Sequence, residues 1–171
     1  MSEGFGARLF VLGDDVDTDQ LAPGAYMKDG IETLAAHCLE TLRPGFAEAV
    51  RAGDILVAGG NFGAGSSREQ AAEALLHLGV AAVVARSFAG IFYRNAINLG
   101  LPAVTSAALD ARGVGIVDGE RGRLELDASR LVLADGRVVE LDPVPEALRA
   151  LLADGGLVPH LRRRLAARDA S

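Results

Sequence analysis

Apolar positions along this chain follow two patterns. Up to about residue 105, short unbroken apolar runs alternate with segments of helical spacing. Residues 8–12 end at Gly13 and read as a first strand. Residues 55–58, Ile-Leu-Val-Ala, are apolar throughout, as expected of a strand covered on both faces. Ile31, Leu34, Ala35, Cys38, Leu39 and Leu42 share one helical face, which predicts a helix over 31–42 stopped by Pro44-Gly45. Residues 46–51 predict a helical turn. Ala71, Ala74, Leu75 and Leu78 form the buried stripe of a helix over 71–78, capped by Gly79. Residues 80–85 read as a buried strand, 91–99 as a helix ended by Gly100, and 101–104 as another strand. Strand, helix and strand within about 30 residues make a βαβ unit, with parallel pairing and a right-handed crossover.

The second half changes to β. Residues 114–117, 123–126, 131–133 and 138–141 predict short strands. Asp135-Gly136 is a type I′ hairpin signal between the last two. Pro143-Val144-Pro145 opens a helix over 146–152, and a last helix covers 161–167. A chain of 171 residues suits one domain. The expectation is a single α/β domain over 1–171. Its core motifs lie at about 8–105, its β-rich appendage at 114–141 and its C-terminal helices at 144–168.

Composition narrows the class. Half the residues are hydrophobic but only 5% are aromatic, so the core is mainly aliphatic. Net charge is −6, and the one basic block is Arg162-Arg163-Arg164, best read as a solvated helix face. Nucleic acid is therefore not expected as a partner. The lone cysteine, Cys38, makes no intrachain disulfide or cysteine cage and reads as a buried, inert thiol in a reducing compartment. His37, His77 and His160 have no partner at ligand spacing, so this chain is expected to bind no metal. No signal-peptide pattern is present, and no apolar run approaches the ~18 residues of a membrane span, so a soluble, cytoplasmic chain without a membrane partner is expected.

The chemistry concentrates at Gly60-Asn61-Phe62-Gly63-Ala64-Gly65-Ser66-Ser67-Arg68-Glu69-Gln70, on the turn from strand 55–58 into helix 71–78. Such a turn aims free N–H groups and a positive dipole end at whatever binds there. It lacks the lysine of a P-loop. Arg68 stands where a dinucleotide fingerprint needs its third glycine. Gly-x-Ser-x-Gly is absent. Ser66-x-x-Glu69 and Ser67-x-x-Gln70 each read as capping boxes. Capping leaves the three glycines, the second serine and Arg68 unexplained. Arg68 offers a planar fork that matches a carboxylate. A serine can act as a base only where N–H groups, a helix dipole and a cation stabilise its alkoxide. The acidic run 14–19 fails the EF-hand spacing and reads as Asx turns and caps, or as a device holding the 26–28 loop near Ser66.

Three blocks carry a resemblance: Gly13-Asp14-Asp15-Val16-Asp17-Thr18-Asp19; Gly60 to Glu69 with its Gly-Ser-Ser-Arg-Glu; and Ser87-Phe88-Ala89-Gly90-Ile91-Phe92 with Asn95, Asn98 and Gly100-Leu101-Pro102. Together they resemble the small subunits of isopropylmalate isomerases, the swivel domain of the aconitase superfamily. The resemblance implies a swivelling β/β/α domain that closes over a large subunit, in a heterodimer or heterotetramer. It implies that the large subunit holds a [4Fe–4S] cluster on three cysteines and that this chain holds no cofactor. The implied activity is a hydro-lyase acting on a small hydroxy acid, with 3-isopropylmalate of leucine biosynthesis as the expected substrate. Homoaconitate of the lysine pathway and dimethylmalate- or citramalate-type acids are the alternatives. A stand-alone module that binds an organic anion or a partner is the non-enzymatic one.

By the same resemblance, Ser66 is the base and Ser67 and Arg68 contact the substrate carboxylate. Thr18, Asp19, Gly63 and Gly65 support them, and Tyr26, Met27 and Lys28 form a specificity loop. Asp29 and Gly30 stand near where aconitase has an arginine, which disfavours citrate. Gln70 and Ala64 depart from the family's usual His and its Cys or Glu. An isopropyl arm would favour Met27 as its contact, and a carboxylate arm Lys28.

Overall fold

The computed structural model describes residues 6–109 and 115–170. Four parallel strands, β1 (Ala7–Val11), β2 (Ile55–Ala58), β3 (Ala82–Ala85) and β4 (Ala103–Thr105), continue into three antiparallel ones, β5 (Arg121–Glu125), β6 (Arg130–Leu133) and β7 (Val138–Glu140). The order across the sheet is β4-β3-β2-β1-β5-β6-β7. Leu56 lies opposite Phe10 and Val83, and Val57 opposite Val11 and Val84.

Every residue of β2 and β3 is buried, and period 2 explains how. Phe10, Leu56, Ala58, Val83 and Ala85 enter one apolar cluster with Leu21, Leu34, Phe46, Leu75, Phe92 and Ile97 from the helices. Leu9, Ile55, Val57, Ala82 and Val84 enter a second with Leu131, Leu133 and Val139 of the antiparallel strands. The sheet thus curls so that its antiparallel half covers the face its helices leave open. This is an α/β fold of β/β/α type, in which the appendage is a layer of the core.

The helices are α1 (Thr18–Leu21), α2 (Ile31–Ala36), α3 (Phe46–Ala49), α4 (Gln70–His77), α5 (Gly90–Leu99), α6 (Glu146–Ala153) and α7 (Leu157–Asp169), with a 3-10 turn at Gly24–Tyr26. Four sequence expectations need correction. The helix predicted over 31–42 stops at Ala36, because Leu39 turns left-handed (φ +59°) and gives its N–H to the Gln20 carbonyl at 2.8 Å. A tertiary hydrogen bond overrides helical spacing, and Leu42 ends up 43% exposed. Residue 114 of the strand predicted over 114–117 lies outside the described residues. Ile116 and Val117 form no strand, because the Val117 N–H bonds the Glu120 carboxylate at 2.6 Å and its carbonyl accepts the Glu120 N–H at 3.0 Å, closing a turn. The β6–β7 hairpin is not type I′. Leu133 pairs with Arg137 across a three-residue loop, in which only Gly136 has positive φ (+93°). The last helix begins earlier than expected, at Leu157, with Pro159 tolerated in its first turn.

Candidate active site

Beyond the C-terminal ends of β1 and β2, two loops continue the parallel pairing. Gly59 N–H bonds the Gly13 carbonyl (3.1 Å), Asp15 N–H that of Gly60 (2.9 Å), Gly63 N–H that of Val16 (2.6 Å) and Thr18 N–H that of Ala64 (2.8 Å). On its other side the glycine-serine loop is held by the β3 extension. Phe62 N–H reaches the Ser87 carbonyl (3.0 Å) and Ala89 N–H that of Phe62 (2.9 Å). The loop is therefore clamped on both flanks before it reaches α4. Gly63 has φ +83°, and a Cβ there would lie 2.2 Å from Cγ of Phe92. Phe92 packs edge-on against buried Phe62, ring centroids 5.2 Å apart.

Within the acidic run only Asp17 is the local cap that the Asx reading expected, while Asp14 and Asp15 tie this loop to the glycine-serine loop 46 positions away. Asp14 Oδ1 accepts the Gly60 N–H (2.6 Å), and Asp15 Oδ1 accepts from Asn61 Nδ2 (3.1 Å). Asp17 caps α1 in a full capping box with Gln20. Among the described residues, no group of three or more His, Cys, Asp or Glu is placed to hold a metal ion.

The capping boxes expected at the serines do not form. Helix α4 begins at Gln70 with Glu69 as its N-cap, and no side chain caps it. The helix starts too late for either serine to reach its first N–H groups. Both serines are exposed. The N–H groups of Ser67, Arg68 and Glu69 have no protein acceptor among the described residues. The Ser66 N–H instead donates to Oγ1 of Thr18 at 3.1 Å, and the two hydroxyl oxygens lie 3.2 Å apart.

Arg68 leans back over α1. Its Nη1 donates to Asp19 Oδ1 and to the Ala22 carbonyl, both at 3.0 Å. The Asp19 carboxylate also accepts the Gly24 N–H at 3.1 Å. The Arg68 hydrogen bond, then that of Gly24, hold its carboxyl below the ordinary carboxylate value. Nη2 and Nε of Arg68 have no acceptor among the described residues, so one edge of the fork stays open. Asn95 on α5 donates to the Ser67 carbonyl at 3.4 Å. That contact escaped sequence reasoning, since an Asn inside a helix carries no local signal for it.

The 26–28 loop starts beside Arg68: a Cβ on Gly24 would sit 3.7 Å from Nη2. Tyr26 stacks face to face on His37, centroids 3.6 Å apart. Met27 packs against the helix-side core, whereas Lys28 is exposed with no partner among the described residues. Thr18, Asp19, Gly63, Gly65, Ser66 and Arg68 thus converge. Ser67 adjoins them with its hydroxyl unpartnered among the described residues, and Met27 turns inward. Cys38 is buried, and burial pushes its thiol up to about 12, the wrong state for a thiolate ligand. The donors of this chain do not fit an iron–sulfur cluster.

The arrangement is an exposed half-site, with anion donors, an oriented guanidinium and a hydroxyl at one strand-to-helix turn. Comparison with known proteins identifies the family. The Aconitase C-terminal domain family matches residues 42–108. A 3-isopropylmalate dehydratase small subunit of Syntrophus aciditrophicus is 44% identical over 165 residues, covering 94% of this chain and 97% of that one. A methanogen homoaconitase small subunit of Methanothermobacter thermautotrophicus is 47% identical over 155 residues, covering 90% and 88%. A crystal structure of 3-isopropylmalate dehydratase from Methanocaldococcus jannaschii superposes with a TM-score of 0.88 at 39% identity, covering 96% of each chain. The chain belongs to the 3-isopropylmalate dehydratase small-subunit family, within the aconitase superfamily.

Proposed function

We propose that this chain is the small subunit of a leucine-pathway hydro-lyase that interconverts 2- and 3-isopropylmalate by dehydration and rehydration, and that Ser66 is its base. The observation that carries the reading is the freedom of the turn. The Ser66 hydroxyl is not consumed as a helix cap, and the turn that carries it also carries N–H groups unpaired among the described residues and the Arg68 guanidinium. In the forward step Ser66 Oγ takes the proton from the carbon next to a substrate carboxylate. The C–H electron pair becomes the double bond, and the hydroxyl leaves with the C–O pair on the partner's side of the interface. Re-addition to the adjacent carbon completes the isomerisation, and Ser66 returns its proton. Arg68 and the Ser67 hydroxyl hold the carboxylate. The half-site needs a large subunit, to which we also assign the [4Fe–4S] cluster, because the donors here do not fit one.

A second substrate reading, homoaconitate, draws on two observations. Met27 packs inward while Lys28 is exposed and unpaired among the described residues, which suits a carboxylate arm. Homoaconitase small subunits are also among the relatives. Reconstitution with a cluster-bearing large subunit and a panel of isopropylmalate, homoaconitate and citramalate tests the assignment. Isopropylmalate should turn over fastest, and Ser66→Ala should lower kcat by about 10²–10⁴-fold. Turnover of homoaconitate alone would overturn the substrate. Full activity in Ser66→Ala would overturn the base.

A further inference from the structure

We infer that Thr18 is a positioning residue for the base: its hydroxyl donates to Ser66 Oγ and stabilises that oxygen when it has lost its proton. The inference rests on the assignment of Ser66 as base and supplies what that assignment needs, since an isolated serine hydroxyl ionises far above neutral pH.

Thr18 is 3% exposed, at the first position of α1. A threonine hydroxyl has one proton and two lone pairs. One lone pair accepts the Ser66 N–H at 3.1 Å. The proton has a single side-chain acceptor in reach among the described residues, Ser66 Oγ at 3.2 Å. While both oxygens are protonated, either can donate. Once Ser66 is an alkoxide only Thr18 can, and no other side chain among the described residues competes for its proton.

Thr18 is also fixed in place, which is what makes such a donor effective. Its N–H bonds the Ala64 carbonyl at 2.8 Å and its carbonyl accepts the Ala22 N–H at 2.8 Å. The Asp17–Gln20 capping box locks the residue before it. Gly65 completes the fit: its φ is +109°, and a Cβ there would stand 3.0 Å from Thr18 Oγ1. The loop therefore passes Thr18 closely enough for Ser66 to meet it from both its N–H and its hydroxyl. The charged groups of these elements are Asp17 at the N-cap of α1, Asp19 on α1, and Arg68 and Glu69 on the turn, and a change at Thr18 leaves all four in place.

The test compares Thr18→Val, Thr18→Ser and Ser66→Ala in the reconstituted two-subunit complex. Thr18→Val should lower kcat about 10²-fold with KM nearly unchanged. The pH at which kcat levels off should move upward, because the alkoxide is harder to form. Thr18→Ser keeps the hydroxyl and should recover most of the loss. Should Thr18→Val not assemble, Thr18→Ala gives the same reading without the extra methyl. Wild-type kcat and pH profile in Thr18→Val beside an inactive Ser66→Ala would overturn the role of Thr18 and leave the base standing. A loss in Thr18→Val that Thr18→Ser does not recover, at an unmoved pH profile, would reduce Thr18 to packing and overturn it too. An active Ser66→Ala would remove the base and this inference with it.

Discussion

At the scale of single residues, Arg68 is set by how its donors are shared. Nη1 is committed to Asp19 and Ala22, which orients the guanidinium and leaves Nη2 and Nε for a ligand. A lysine could not hold both sets, so Arg68→Lys should raise KM roughly tenfold, about the worth of one charged hydrogen bond, with a smaller change in kcat. Steady-state kinetics of the complex read this directly. Asp19 supplies the anchor, and its pH dependence has a definite sign. Its folded carboxyl lies below the ordinary value, chiefly through Arg68. The pair is therefore fully present above about pH 4 and is lost as pH falls through the lowered value. An NMR titration of the carboxyl carbons should place Asp19 below its ordinary value, and Arg68→Gln should move it back up. What was legible here was residue type: a second serine, Arg68 and three glycines stand out because capping accounts for only one serine. The Thr18–Ser66 contact was not legible as geometry, because it joins residues 48 apart and depends on how two loops extend β1 and β2.

At the scale of elements, spacing located most strands and helices within a few residues and failed where a distant partner decided the outcome. Strands 55–58 and 80–85 were readable because both faces are covered, which makes every position apolar. Helix 31–42 was overread because the Gln20 carbonyl that captures Leu39 lies outside any local window. Ser-x-x-Glu likewise marks a cap only if the helix begins where the pattern needs it, and α4 begins at Gln70. A stability prediction follows. Ser67→Ala should change unfolding free energy by less than about 0.5 kcal/mol, the usual range for an exposed position, whereas a true cap would lose ~1 kcal/mol. Gly63→Ala should behave oppositely. Its positive φ and the 2.2 Å approach to Phe92 combine backbone strain with overpacking, for a loss of roughly 2–5 kcal/mol. Urea unfolding of the isolated chain separates the two cases.

At the scale of the whole molecule, the layers explain why the site is open. The helix layer and the antiparallel strands cover the two faces of the parallel strands, which leaves the C-terminal strand ends and their loops to carry chemistry. The thiol of this chain is spent on the core: Cys38 is buried in the cluster that includes Leu34 and Leu39, and burial raises its pKa to about 12. It should therefore react with a disulfide reagent only as fast as the chain unfolds, and denaturant should release one reactive thiol. On the proposed assembly, thiol-directed inactivation of the complex should then act on the large subunit. Cys38→Ala should retain turnover and the wild-type sensitivity to such reagents, at a modest cost in thermal stability from the lost core volume. Protection of the Cys38→Ala complex against inactivation would place the sensitive thiol in this chain and refute the division of labour between the subunits.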